Sequence, residues 1–147
     1  MAIRLGMDAK LYFKVGGVGG VGAWTELTNV KDVTLNLETG EADVTTRGNA
    51  GWRATVGTLK EGSIEMELVW DTADPGFTAI KNAYFNNAVI GFAIMDGGIL
   101  VTGSQGLQAD FSITNFSRKE ALEEALTVSV TAKPTYSTTA PAWVTTA

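Results

Sequence analysis

The chain has 147 residues, 45% of them hydrophobic and 18% charged, with a mean hydropathy of +0.10; it is long enough for one domain with a real core and too apolar to stay disordered. It contains no cysteine and no histidine, which excludes disulfides, thiol nucleophiles, cysteine or histidine zinc sites and Ser-His-Asp hydrolysis. Eleven Lys plus Arg against sixteen Asp plus Glu leave a net charge of −5, the wrong sign for general attraction to phosphate backbones, so stable nucleic-acid binding is not expected.

The start of the chain, Met1 to Asp8, has no apolar core with a small-residue cleavage site, and no run approaches the roughly 20 apolar residues that cross a bilayer. Neither targeting nor membrane attachment is expected. Lys10 to Val15 reads as a first strand, and the glycine-rich stretch Gly16 to Gly22 as a flexible loop leading to a Trp24 to Leu27 segment. Period-2 alternation then sets Val33, Leu35 and Leu37 against Asp32, Thr34, Asn36 and Glu38, and Ile64, Met66, Leu68 and Trp70 against Glu65 and Glu67. Both read as half-buried strands.

Asp74-Pro75 supplies a cap and a first-turn proline for a helix that carries Phe77, Ile80 and Tyr84 on one face and ends near Asn86-Asn87. Alternation returns at Ile90, Phe92 and Ile94, at Phe111 and Ile113, and at Leu126, Val128 and Val130. Gly97-Gly98 and Gly103 to Gly106 mark a turn region. Arg118 to Ala125 has helical composition but lies between strand patterns, which makes it an exposed charged connection of at most one helical turn. Residues 1–133 are read as one domain. Pro134 to Ala147, rich in Thr, Ser, Ala and Pro, is read as an extended tail that leaves the core and is mobile or ordered by a partner. The architecture expected is a mainly antiparallel β-sandwich or barrel with one packed helix.

Little in the chain suggests catalysis. Gly17 to Gly22 matches the glycine spacing of a dinucleotide loop, but the strand-like segment after it lacks the required helix. The carboxylate pairs Glu65 with Glu67, Glu123 with Glu124, and Asp71 with Asp74 fall on a strand's polar face, an exposed connection and a helix start. No catalytic, cofactor or metal site is assigned. Trp70 keeps register with the core positions of its strand, whereas Trp24 and Trp52 are divided between core packing and contact with a partner.

The most distinctive stretch runs from Glu41 to Arg53 and joins Val44-Thr45-Thr46 to a glycine turn flanked by Arg47, Arg53 and Trp52. Glu41 and Asp43 stand near enough in sequence to pair with the arginines. Arg and Trp are typical interface anchors, and an ordinary hairpin with a surface salt bridge is the alternative. The residues singled out as candidate subunit contacts are Asp43, Thr45, Thr46, Arg47, Gly48, Asn49, Trp52, Arg53 and, in the tail, Trp143.

Taken in order, Gly6 to Tyr12, Val30 to Leu35, Glu41 to Arg53, Trp70-Asp71-Thr72 and Phe116 to Ala125 resemble the tail tube, or major tail, proteins of long-tailed phages, most of all at Asp43-Val44-Thr45-Thr46-Arg47-Gly48-Asn49. The resemblance implies a β-sandwich or barrel subunit that stacks in rings, usually hexameric, around a lumen through which DNA passes without specific binding. It implies contacts between subunits from the Gly40 to Lys60 region, the N-terminal segment and the Pro134 to Ala147 tail. Its further implications are tape measure, tail terminator and tail-tip partners, assembly in the host cytoplasm and residence in the virion tail. A tube protein of a type VI-like secretion machine is the nearest alternative. A monomeric ligand- or glycan-binding β module using Trp24 and Trp52, and a hydrolase with two converging carboxylates, are the rivals from other classes.

Overall fold

The computed structural model describes residues 3–147; Met1 and Ala2, where the segment read as free of a targeting signal begins, lie outside the described residues. Eight strands follow one another as β1 (Lys10–Val15), β2 (Thr25–Glu26), β3 (Val30–Asp43), β4 (Thr55–Val69), β5 (Ile90–Met95), β6 (Gln105–Lys119), β7 (Thr127–Pro134) and β8 (Ala142–Thr145), with helix α1 (Pro75–Phe85) between β4 and β5. They form one antiparallel sheet in the order β2-β1-β5-β6-β7-β4-β3, and β8 lies against β6.

The sheet is curled rather than flat. Leu11 and Phe13 of β1 share one buried cluster with Ile64 and Met66 of β4, although three strands separate β1 from β4 in the sheet. The alternating positions read from the sequence supply this concave face: Phe92 on β5 packs edge-on against Phe111 on β6 at 5.6 Å, and Val128 and Val130 on β7 are fully buried beside them. Burying a side chain of this size contributes about 1.5–3 kcal/mol, so the concave face supplies the stability of the domain.

Helix α1 fills the hollow, packing on β6 and β5. Its start follows from chemistry already visible in the sequence: Asp74 Oδ2 accepts the Phe77 N–H at 2.9 Å, and Pro75 occupies the first turn where its missing N–H costs nothing. Phe77, Ile80 and Ala83 face the core. Tyr84, read as part of that stripe, lies at its margin with its ring stacked on Phe116 at 5.9 Å. The chain leaves the helix through Asn87 in the left-handed region, φ 51°, a conformation asparagine tolerates better than most residues.

Three segments differ from the reading of the sequence. Arg118 and Lys119 continue β6 and are followed by a turn without a helical stretch, because cross-strand pairing with Val128 and Thr127 satisfies their backbone. Gln105 and Gly106 open β6 instead of lying in a turn, and a Cβ at Gly106 would collide with the Ile94 carbonyl of the neighbouring strand. The segment after Pro134 returns to the sheet: β8 pairs Gln105–Gln108 with Thr145–Ala142, and the Trp143 indole N–H donates to Gln105 Oε1 at 3.1 Å. Its strand is ordered by the chain's own β6.

That return is helped by Asp110. It sits on the convex face of β6 yet is only 5% exposed, because the glycine-rich loop and the chain after β7 fold over it. Its Oδ1 accepts the Val18 N–H at 2.5 Å, and its Oδ2 accepts the Ser137 hydroxyl. Gly17, at φ +97°, passes so close that a Cβ would press on the carboxylate. The glycine-rich loop, read from the sequence as flexible, is therefore a strap held against β6, and it leads into the short strand β2.

Candidate assembly surface

Pairing between β3 and β4 runs from Val30↔Leu68 to Asp43↔Thr55, but β7 supports β4 only from Ile64 to Val69. Beyond Ile64 the two strands continue alone. Thr55 to Ser63 would span about 30 Å at strand rise, and β3 and β4 here form a two-stranded arm with almost every side chain in water. Leu37, Val56 and Leu59 on this arm are exposed, Leu59 at 81%. A ladder irregularity between Thr39 and Glu41 sharpens the local twist. Both faces being exposed, the arm has no need of alternation, which is why sequence periodicity locates only its root.

The tip is built by local hydrogen bonds. Val44 N–H donates to the Ala54 carbonyl at 3.0 Å, and the Thr45 hydroxyl accepts the Ala54 N–H at 2.8 Å. Thr46 caps a 3-10 turn at Arg47–Asn49 by accepting the Gly48 N–H at 3.3 Å. Ala50 and Gly51 then turn the chain through the left-handed region, φ 53° and 85°. Asp43 does not pair with the arginines as its position suggested: its Oδ1 accepts the Thr45 N–H at 2.9 Å. The Thr45 hydroxyl and amide, in that order, favour its charged form and hold its carboxyl below the ordinary range. Among the described residues no salt bridge involves Arg47 or Arg53. Trp52 stands 78% exposed beside them, while the Asn49 amide nitrogen is buried without a partner. All the candidates from Asp43 to Arg53 thus meet at one tip, and Trp143 lies apart on β8.

A curled antiparallel sheet with one packed helix agrees with the comparison of the chain with known proteins. The phage tail tube protein family matches residues 6–135. The chain belongs to that family. Similar folds occur in the tail of an empty gene transfer agent particle refined with C6 symmetry (19% identity, TM-score 0.75, covering 99% of this chain and 100% of that one) and in the SPP1 tail tube (16%, 0.75, 97% and 80%). The baseplate of the anti-feeding prophage is more distant (8%, 0.63, 99% and 97%). None of the curated proteins compared matches the chain.

For a tail tube protein, a structural component of the virion tail, the surfaces that matter are those that join copies. Trp24 and Trp52 do not come together as one platform. Trp24 packs with Tyr12 and Met95 on the convex side of β1 and β5, with Lys14 Nζ 5.7 Å from its ring centre, whereas Trp52 is at the end of the arm. Trp70 packs edge-on against Phe77 at 4.7 Å and carries the Arg118 guanidinium over its ring at 5.1 Å. The carboxylate pairs have structural employment or lie on open surface: Asp71 and Asp74 accept backbone N–H groups at the helix start, and Glu65 and Glu67 project from the convex face. With Asp32, Glu38 and Glu61 these two glutamates give the convex face of β3 and β4 an acidic character, and Ser129, Thr131 and Lys133 of β7 continue the face, Lys133 beside Glu38 and Glu61.

Proposed function

We propose that this tail tube protein forms stacked six-fold rings and that the β3–β4 arm makes the contacts that stack them. The unsupported arm carries the reading: a two-stranded hairpin is marginally stable in water by itself, so a long one with Trp52, Leu59 and Val56 exposed is completed by another copy. Six-fold symmetry is supported by the C6 symmetry of the gene transfer agent tail that the fold resembles. The long free margin of β3 is suited to strand addition around the ring. The candidates Asp43, Thr45, Thr46, Arg47, Gly48, Asn49, Trp52 and Arg53 belong to the arm contact, and Trp143 on β8 with the exposed Ile3, Leu5 and Met7 belongs to further contacts between copies.

The acidic convex face of β3 and β4 is assigned to the lumen. Like charge against phosphate keeps DNA from adhering while it passes. No catalytic step, cofactor or metal is required. Assembly would take place in the host cytoplasm, where a tape measure, a tail terminator and tail-tip proteins are the partners that set length and ends.

The test is light scattering across a concentration series with electron microscopy of the large species. Hollow six-fold tubes are expected from the unaltered chain, and a variant with residues 44–54 replaced by a two-residue turn is expected to keep its fold and stay unassembled. Tubes from the shortened variant would overturn the role of the arm.

A further inference from the structure

The end of the molecule opposite the arm tip carries a matching surface. Strand β4 begins at Thr55 beside the tip and ends at Val69, where Val69 pairs with Thr127 and Trp70 N–H donates to the Leu126 carbonyl at 2.8 Å. The β6–β7 turn, residues 120–126, is therefore separated from the tip by the full 15 residues of β4, about 50 Å at strand rise. Leu122 projects from this turn fully exposed, between Glu120 and the exposed pair Glu123 and Glu124. Glu120 is held by Arg118 at 3.3 Å, whereas among the described residues Glu123 and Glu124 enter no salt bridge. The tip presents the complement: Arg47 and Arg53, which enter no salt bridge among the described residues, with Trp52 exposed in the same turn.

We infer that the β6–β7 turn is the receptor for the arm tip of a second copy in the next ring, with Arg47 and Arg53 facing Glu123 and Glu124 and Trp52 covering Leu122. This inference rests on the tube reading and adds the docking partner within it. Charge complementarity selects the occupant, since a basic aromatic tip fits an acidic apolar turn. The position of the two surfaces selects the geometry. Because they sit at opposite ends of the same strands, the contact is head-to-tail, does not close on itself, and propagates along an axis.

The absence of cysteine from the chain makes the test clean. In the double variant Arg53→Cys with Glu123→Cys, oxidation of assembled tubes is expected to give a covalent ladder that continues past the number of subunits in a ring. The two positions in one chain are far beyond the roughly 7 Å that a disulfide tolerates between Cα atoms, so an intrachain bond does not compete. Tubes without a ladder, or a ladder that stops at the ring number, would overturn the inference while leaving the tube reading intact. Charge reversal provides an independent measurement. Arg47→Glu with Arg53→Glu, and separately Glu123→Lys with Glu124→Lys, are each expected to raise the concentration needed for assembly by about tenfold or more. All four together are expected to restore it. A fourfold variant no better than the hairpin pair would reject the pairing, and failure of the unaltered chain to form tubes would reject the tube reading itself.

Discussion

Replacing Asp110 with Ala takes away the carboxylate that receives both the Val18 N–H and the Ser137 hydroxyl. A hydrogen bond to a charged group contributes about 1.5–3 kcal/mol net, and the two share one acceptor in a site only 5% exposed, so their loss is not additive. The expected cost is about 2–4 kcal/mol, which lowers the melting temperature of a domain this size by roughly 5–12 °C. Asp110→Asn keeps an acceptor for Val18 and offers Ser137 an amide donor, and is expected to cost about half as much. Circular dichroism melting gives the stability, and hydrogen exchange at Val18 gives the local effect: its amide should lose protection in Asp110→Ala even at temperatures where Phe111 and Val130 remain protected. An alanine variant within about 0.5 kcal/mol of the parent, the range of ordinary surface substitutions, would refute the claim that Asp110 holds the strap and the tail to β6.

Trp52→Ala should leave the melting temperature of the unassembled subunit within experimental scatter, because its ring is mostly in water, yet prevent tubes from forming in electron micrographs; a matching loss of subunit stability would place the ring in the fold instead. The Asp43 carboxyl is held below its ordinary 3.8 by Thr45. A carboxylate with a lowered folded value adds stability that is present above the unfolded value and lost as pH falls through the folded one, so the arm tip should loosen below about pH 4. The Thr45 amide resonance followed by NMR from about pH 6 to about pH 2 should move with the titration, and an unmoved resonance would contradict the hydrogen bond. Glu65→Lys with Glu67→Lys should leave tubes intact but make them retain added DNA in sedimentation at low salt; equal retention by parent and variant would remove these residues from the lumen.

Much of the supported sheet was legible in the residues because one of its faces is buried. Lys10–Val15 is the strand its pattern indicated, and Asp74-Pro75 with Phe77 and Ile80 marked α1 by cap and stripe together. The arm was not legible beyond its root: Thr55 to Ser63 contacts water on both faces, so nothing selects alternate apolar residues there, and Gly57 and Gly62 weaken the strand signal further. The cluster of Arg47, Trp52 and Arg53 was found by composition, while its isolation at the end of a long ribbon required the register of β3 with β4. Exposed Val56 and Leu59 in a segment without periodicity were the available sign of a surface awaiting contact. Strand β8 was hidden for another reason. Its Thr and Ala composition describes a polar tail, and it becomes a strand because Gln105–Gln108 offer an unpaired margin where β7 has already ended. Asp110 alternates with Ala109 and Phe111 as a surface residue should, and its burial comes from a loop distant in sequence.

The unsupported arm also bears on how growth begins. Fixing the backbone of each arm residue costs about 1–2 kcal/mol, and a lone subunit has only one ribbon pairing to set against that cost. In an encounter between two free subunits most of the ordering penalty falls on the first contact, whereas a subunit arriving at a formed end meets surfaces already in place. The kinetic signature expected of such a chain is a lag in turbidity that short preformed tubes abolish, because the ribbon gains its second set of contacts only against another copy.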